Sequence, residues 1–223
     1  MNSLKLSDIY KDKDIDDICL IKNLSIYNEH CTLITQKNLF DKLKYFENID
    51  LLINNILSRI ENEILTYDIL DTEKSKKHKL IALKEKQRQM KVGEIWQSVI
   101  GNYDGYFDLG IGHETGLDVL SYDKKIIIEL KNRTNTDNAS SKKSNLDKLA
   151  KYKKEHPEYT CIYANINADT EEKTLKGARK IIIHSDVVIE HHIGYEFLNF
   201  IFGDNTDEII IFVKNTIEKY TYN

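Results

Sequence analysis

The sequence predicts a mixed α/β protein of the α+β type, with a mixed β-sheet flanked by helices and a helical N-terminal region. Apolar residues recur at helical spacing through much of the first hundred residues. Two β-rich runs follow at 117–121 and 125–130, with only a turn between them. A helical stretch, two more β-rich runs and two apolar helical stretches come next, and a sheet with helices packed on its faces accommodates that order.

The first hundred residues are predicted to be helical. We expect helices at 14–26 and at 36–65, the second broken near Asn48 and Asp50, and a basic helix at 73–100. Asp71-Thr72 supplies the N-cap of the basic helix, and Gly101-Asn102 ends it. The sequence thus divides into a helical N-terminal region, 1–72, and a core with C-terminal helices, 73–223.

The second half of the chain is predicted to build the sheet. A loop at 101–116, with one short strand near 106–109, leads into the two β-rich runs. The polar run 132–145 is interpreted as a loop, and the helix that follows it stops before Pro157. Residues 160–165 and 179–184 are expected to be buried strands on either side of a loop. Helices are expected at 194–202 and 207–222.

Composition indicates a soluble globular protein of the cytoplasm. The chain has 223 residues, of which 41% are hydrophobic and 30% charged. Cys19, Cys31 and Cys161 are odd in number and widely spaced, which predicts free thiols in a reducing compartment and neither disulfides nor zinc. No apolar run approaches the roughly 20 residues that cross a bilayer, and no signal-peptide core is present at the N-terminus.

Charge is unevenly distributed along a chain whose formal net charge is -4. Residues 73–91 contain eight basic residues and two acidic ones, and residues 131–156 contain eight basic residues and three acidic ones. This segregation permits a basic cleft on a mildly acidic protein. A solvated helix face explains the first basic run equally well.

The two β-rich runs are predicted to bring carboxylates together. If they form a hairpin with a two-residue turn at Asp123-Lys124, Asp118 lies opposite Glu129, with Cβ atoms roughly 5 Å apart. Two carboxylates that close repel each other unless a cation lies between them. Lys131 shares the face of Glu129 and adds a donor. Rival metal ligands lie in the preceding loop, but no second histidine at ligand spacing supports zinc; they are Asp104, Asp108, His113 and Glu114.

These residues also carry a resemblance to a known family. Asp118, Glu129 and Lys131 resemble the motif of the metal-dependent PD-(D/E)xK nuclease superfamily. The longer string GHETGLD…IIIELKNRTNTDNASSKKSNLDKLAKY is similar to a group of type II restriction endonucleases, some of which cut GGNCC. The resemblance covers residues 94–167. Leu117 stands where the motif has proline, a departure that removes no metal ligand.

The resemblance implies a restriction-endonuclease-like sheet and a Mg²⁺-dependent hydrolysis of double-stranded DNA that leaves 5′-phosphates. Asp118, Glu129 and the backbone carbonyl of Leu130 are the expected oxygen ligands of Mg²⁺. Lys131 is expected to orient the attacking water and stabilise the transition state. Glu94, on the helix before the hairpin, is a further catalytic candidate, although a chance exposed glutamate explains it as well.

DNA binding is expected next to the metal. The polar run after Lys131 offers groups suited to base edges and phosphates. A symmetric recognition site implies a C₂ homodimer that cuts one strand with each subunit. The candidate DNA-binding residues are Asn132, Arg133, Asn135, Asn138, Ser141, Lys142 and Lys143.

Three alternatives stay open at the level of sequence. A repair or recombination nuclease of the same superfamily would share the motif. A nucleic-acid-binding module without catalysis would share the basic segments. A hairpin in which Lys131 simply neutralises Glu129 would share the ion pair, but exposed pairs of that kind stabilise by only about 0–1 kcal/mol, and the pairing gives no reason for Asp118 to face them.

Overall fold

The computed structural model describes residues 33–59, 72–110, 112–133 and 139–221, and within them a six-stranded mixed sheet lies between two layers of helices. The strand order is β1-β2-β3-β4-β6-β5. The strands are β1 (Phe107–Asp108), β2 (Val119–Ser121), β3 (Ile126–Arg133), β4 (Thr160–Asn167), β5 (Ala178–His184) and β6 (Val187–Ile193). Strands β3, β4 and β6 run parallel to one another, and the other neighbours pair antiparallel. The predicted fold class is confirmed.

Helices cover both faces of this sheet because β3 and β4 are apolar on both sides. On one face Ile128 and Ile162 pack against α1, α2, α5 and α6. On the other face Ile127 and Cys161 pack against Leu149 of α3. The helices are α1 (Leu33–Ser58), α2 (Glu73–Gly101), α3 (Ala139–Glu155), α4 (Glu171–Lys176), α5 (Tyr195–Phe202) and α6 (Thr206–Thr221).

Helix α2 begins and ends where the sequence predicts. The side chain of Thr72 accepts a hydrogen bond from the amide of Ser75, and the Ser75 hydroxyl accepts one from the amide of Thr72, which forms a capping box. Asn102 caps the C-terminal end. Helix α1, by contrast, runs unbroken through Asn48 and Asp50, so the predicted break is wrong. The expected helix at 14–26 lies outside the described residues.

Three other predictions of secondary structure are corrected. Asn132 and Arg133 belong to β3, and α3 begins at Ala139, so the run 132–145 is not one loop. Residues 187–193 form β6, a strand that the sequence analysis missed. Strand β5 is an edge strand with exposed side chains, not a buried one, because β6 takes the interior position beside β4.

In the part of the chain that the structure describes, no helix is long and apolar enough to cross a membrane.

Candidate active site

The β2–β3 hairpin brings one acidic residue from each side to the same region of the sheet. Its ladder pairs Val119 with Ile128, and one residue back the amide of Asp118 donates a hydrogen bond of 3.1 Å to the carbonyl of Ile128. Asp118 and Glu129 are near enough for the charge of Asp118 to raise the pKa of Glu129. Residues 122–125 form the connection, as a turn centred on its two middle residues requires. The predicted register is confirmed over the three paired residues of the ladder, and the direct opposition of Asp118 and Glu129 stays a prediction.

Asp118 is held in place by the backbone of the neighbouring strand. Its Oδ2 atom accepts a hydrogen bond of 2.7 Å from the amide of Leu130. In a strand the amide and carbonyl of one residue point to the same side, so the carbonyl of Leu130 is also directed towards Asp118. Burial raises the pKa of Asp118, while the Leu130 amide and then the Lys131 ammonium act in the opposite direction.

Glu129 is almost completely buried, with an exposed fraction of 2%. Its Oε1 atom accepts a hydrogen bond of 2.6 Å from Nζ of Lys131. Its Oε2 atom is buried and has no hydrogen-bond partner in the described part of the chain. Burial raises the pKa of Glu129, and the nearby carboxylate of Asp118 raises it further, despite Lys131. An ion pair with Lys131 alone therefore leaves half of this carboxylate unsatisfied.

The arrangement fits a hard divalent cation. Asp118 and Glu129 could provide carboxylate oxygens and Leu130 a carbonyl oxygen. A cation at this position would supply the partner that the buried Oε2 atom of Glu129 does not have in the described part of the chain. Mg²⁺ is commonly bound by one or two carboxylates and keeps several waters. No cluster of three or more His, Cys, Asp or Glu able to hold a metal occurs in the described residues, so a cation here depends on the pair, the carbonyl and water.

Two of the rival metal ligands, Asp108 and His113, make other side-chain contacts in the structure. Asp108 lies in β1 and accepts hydrogen bonds from Gln97, Ser98 and the amide of Gly110. Its charge nevertheless contributes to raising the pKa of Asp118, so it lies near the pair. The ring of His113 contacts the hydroxyl of Thr115 at 2.9 Å within a local turn. The backbone carbonyl of Asp104 accepts a hydrogen bond from Lys124. Among the described residues, neither the Asp104 side chain nor Glu114 has a described contact.

Glu94 lies on α2 and is paired with basic residues. Its carboxylate contacts Arg59 at 2.6 Å and Lys91 at 3.4 Å. These contacts account for its charge without a metal. Its role as a catalytic residue stays a prediction.

Comparison with known proteins identifies a family for this chain. The family model described as Eco47II restriction endonuclease matches residues 32–207. The chain belongs to the Eco47II restriction endonuclease family. A curated relative, the type II restriction enzyme Sau96I from Staphylococcus aureus, is 28% identical over 160 residues, which are 66% of this chain and 59% of the relative. The chain thus spans about three fifths of that relative's length. Among solved structures, none matches this chain.

The polar segment predicted to bind DNA is divided between two elements, β3 and α3. Asn132, in β3, donates from its amide to the Gln89 carbonyl and accepts from Asn167, so its polar atoms join α2 to the sheet. Arg133 ends β3. Exposed residues in the first turns of α3 are Ser141, Lys142 and Lys143, whereas Asn135 and Asn138 lie outside the described residues. Direct base reading by any of them stays a prediction.

Sequence analysis missed Lys148, which approaches the site from α3. Its Nζ atom donates a 3.0 Å hydrogen bond to the carbonyl of Gly116, two residues before Asp118. Its positive charge opposes the rise in the pKa of both Asp118 and Glu129. No spacing in the sequence indicates this contact, because it depends on how α3 packs across the sheet.

A second missed group supports the carboxyl ends of the parallel strands. Burial, ahead of the charges of Lys142 and Lys180, lowers the pKa of His191 to about 4, so the ring is neutral at pH 7. Its Nε2 atom donates to Asn165 Oδ1 at 2.7 Å, and the Asn165 amide donates to the carbonyl of Arg133 at 3.1 Å. This chain of hydrogen bonds joins β6, β4 and β3 beside Lys131, which pairs with Asn165 across the ladder.

Proposed function

We propose that this protein is a Mg²⁺-dependent, site-specific endonuclease of double-stranded DNA, of the type II restriction class. The observation that carries the proposal is the carboxylate pair of half-buried Asp118 and buried Glu129, with one unpartnered oxygen and an adjacent lysine. Membership in the Eco47II restriction endonuclease family supports it. GGNCC as the recognised sequence is part of the proposal, as are a homodimer and a cytoplasmic location.

The residues of the chain divide the chemistry between them. Asp118, Glu129 and the Leu130 carbonyl would hold the divalent cation, which would supply Lewis acidity towards a water molecule and offset the charge of the phosphate. Lys131 reaches Glu129 Oε1 with a half-buried side chain, so the same ammonium can orient a water molecule for in-line attack and stabilise charge on the phosphate. Cleavage then expels the 3′ oxygen and leaves a 5′-phosphate.

The test is digestion of plasmid DNA in Mg²⁺ by the wild-type protein and by Glu129→Ala and Lys131→Ala. We expect discrete fragments from the wild type, none in EDTA, and a loss of at least 100-fold in each variant, as removal of one preorganised catalytic group typically gives. Glu172→Ala, an exposed residue of α4, is the control and should cut normally. Sequencing the fragment ends identifies the site.

Two outcomes contradict the proposal in different ways. A smear in place of bands identifies a nuclease without site specificity, such as a repair enzyme. Salt-dependent DNA binding without any metal-dependent cleavage identifies a binding module and removes the catalytic role of the pair.

A further inference from the structure

Helix α2 extends past the end of the sheet at which the carboxylate pair lies. The Gln89 carbonyl accepts a hydrogen bond of 3.1 Å from Asn132, near the carboxyl end of β3. A methyl group at Gly93 would lie 3.8 Å from Asn132 Cβ. One turn earlier in the helix, the charge of Arg133 contributes to lowering the pKa of Glu85. Moving towards the N-terminus of α2 therefore means moving beyond the carboxyl end of β3.

The residues beyond that point form a basic part of the helix, here called the α2 arm (residues 74–88). The α2 arm has fifteen residues, which at 1.5 Å per residue is about 22 Å of helix. The α2 arm carries seven lysine or arginine residues and one acidic residue, Glu85. Lys74, Lys77 and Lys84 are among its exposed side chains. Its lysines are not confined to one side, whereas a helix packed on a core has an apolar stripe facing that core.

The α2 arm and the first turns of α3 lie at the same end of β3 but on opposite faces of the sheet. Helix α3 packs on the face of Glu129, and its exposed Lys142 and Lys143 follow closely after the end of β3. Helix α2 packs on the other face through Ile95 and Val99. Two basic segments therefore flank the end of β3 that holds Lys131.

We propose that the α2 arm binds the phosphate backbone of the DNA duplex next to the strand being cut. This inference rests on the proposed function, which makes a DNA duplex the substrate. DNA carries one negative charge per about 1.7 Å of its axis, so cations spread along about 22 Å of helix face many phosphates at once. Lysines around the whole helix suit contacts that position the duplex without reading its sequence.

The test is the salt dependence of binding to a labelled 20-base-pair duplex in EDTA, between about 50 and 200 mM KCl. Each phosphate contact adds about 0.9 to the slope of log K against log salt. We expect Lys77→Gln with Lys84→Gln to reduce the slope by about 2. Lys151→Gln with Lys154→Gln, exposed at the far end of α3, removes equal charge and should leave the slope unchanged.

The outcomes separate this inference from the proposed function. If the wild type cuts plasmid DNA but the arm variant keeps the wild-type slope, the arm does not contact DNA and the inference is wrong. If the slope falls but the wild type never cuts, the arm inference stands and the nuclease proposal fails.

Leu80 and Ile81 are exposed on the arm at 38% and 68%. A change of molecular mass in the arm variant by sedimentation would show contact between copies of the chain and overturn the inference.

Discussion

At the scale of single residues, the carboxylate pair is costly unless a cation joins it. Glu129 is buried, Asp118 raises its pKa, and Lys131 reaches only one of its oxygens. Burying a charged group without full pairing destabilises a fold by several kcal/mol. A repulsive pair in which Glu129 is buried and Asp118 half-buried is therefore more consistent with a binding site than with structural support of the hairpin.

Lys148 is expected to support this pair from outside it. Lys148→Met keeps the length of the side chain but removes its charge and its hydrogen bond to Gly116. We expect affinity for Mg²⁺ to fall roughly 10-fold, in the range that outer groups of metal sites typically give. The pH profile of cleavage should also move to higher pH, because Lys148 lowers the pKa of both carboxyl groups.

Lys151→Met is the matched control, since Lys151 lies one turn further along α3 and is exposed. Titration of Mg²⁺ by calorimetry, together with the rate of plasmid cleavage from pH 6 to 9, measures both effects. An unchanged pH profile in Lys148→Met would leave Lys148 as a structural residue only.

At the scale of elements, local signals predicted some features and tertiary contacts decided the others. The hairpin register follows from the alternation around Asp118 and Glu129, and the start of α2 follows from the capping box at Thr72, so both were predictable. Whether β5 or β6 lies at the sheet edge depends on which strand pairs with β4, and the alternation of RKIIIH does not contain that information. Asn48 is compatible with a helix that buries Phe46 and Ile49, so packing overrides its weak propensity.

The same division holds for the candidate site. The carboxylate pair and Lys131 lie within 14 residues of one another in the sequence, so their geometry depends only on the hairpin. Lys148 and His191 reach the site from α3 and β6, and their positions follow from packing that no local pattern specifies. Sequence reasoning therefore predicted the carboxylate pair and Lys131, whose proximity follows from local structure, and missed Lys148 and His191, whose positions follow from packing.

Two glycines of α2 test how closely this helix is held against the sheet. A Cβ atom at Gly101 would lie 2.5 Å from the backbone nitrogen of Asp108, which cannot move without displacing β1. We expect Gly101→Ala to lower the free energy of unfolding by about 1–3 kcal/mol, as overpacking does. Gly93→Ala meets only an ordinary 3.8 Å contact and should raise it by up to about 1 kcal/mol, since alanine favours helix. Urea unfolding of both variants gives the comparison, and equal effects would contradict the close approach of α2 to β1.

At the scale of the whole molecule, the basic segments and the carboxylate pair share one end of the sheet. The net charge of -4 conceals this, because the acidic excess lies elsewhere in the chain. On the proposed function, a duplex approaching that end would meet positive charge on both faces before it reaches Glu129. The proposed cation at the pair would then remove a repulsion that the folded chain otherwise retains, which would link metal binding to global stability.

This linkage predicts that Glu129→Gln stabilises the metal-free protein. In the folded state the pKa values of Asp118 and Glu129 are raised above the ordinary 3.8 and 4.5, so the native state holds more protons than the unfolded state as pH rises past those values. The stability of the wild type in EDTA should therefore fall with pH through that window, and less so in Glu129→Gln. Mg²⁺ at 100 times its Kd should restore about 2.7 kcal/mol to the wild type and nothing to the variant. Thermal unfolding from pH 4 to 8 measures the stability of each protein, with Glu172→Gln as the control for one lost exposed charge. If Glu129→Gln gains as much stability from Mg²⁺ as the wild type does, the cation binds elsewhere.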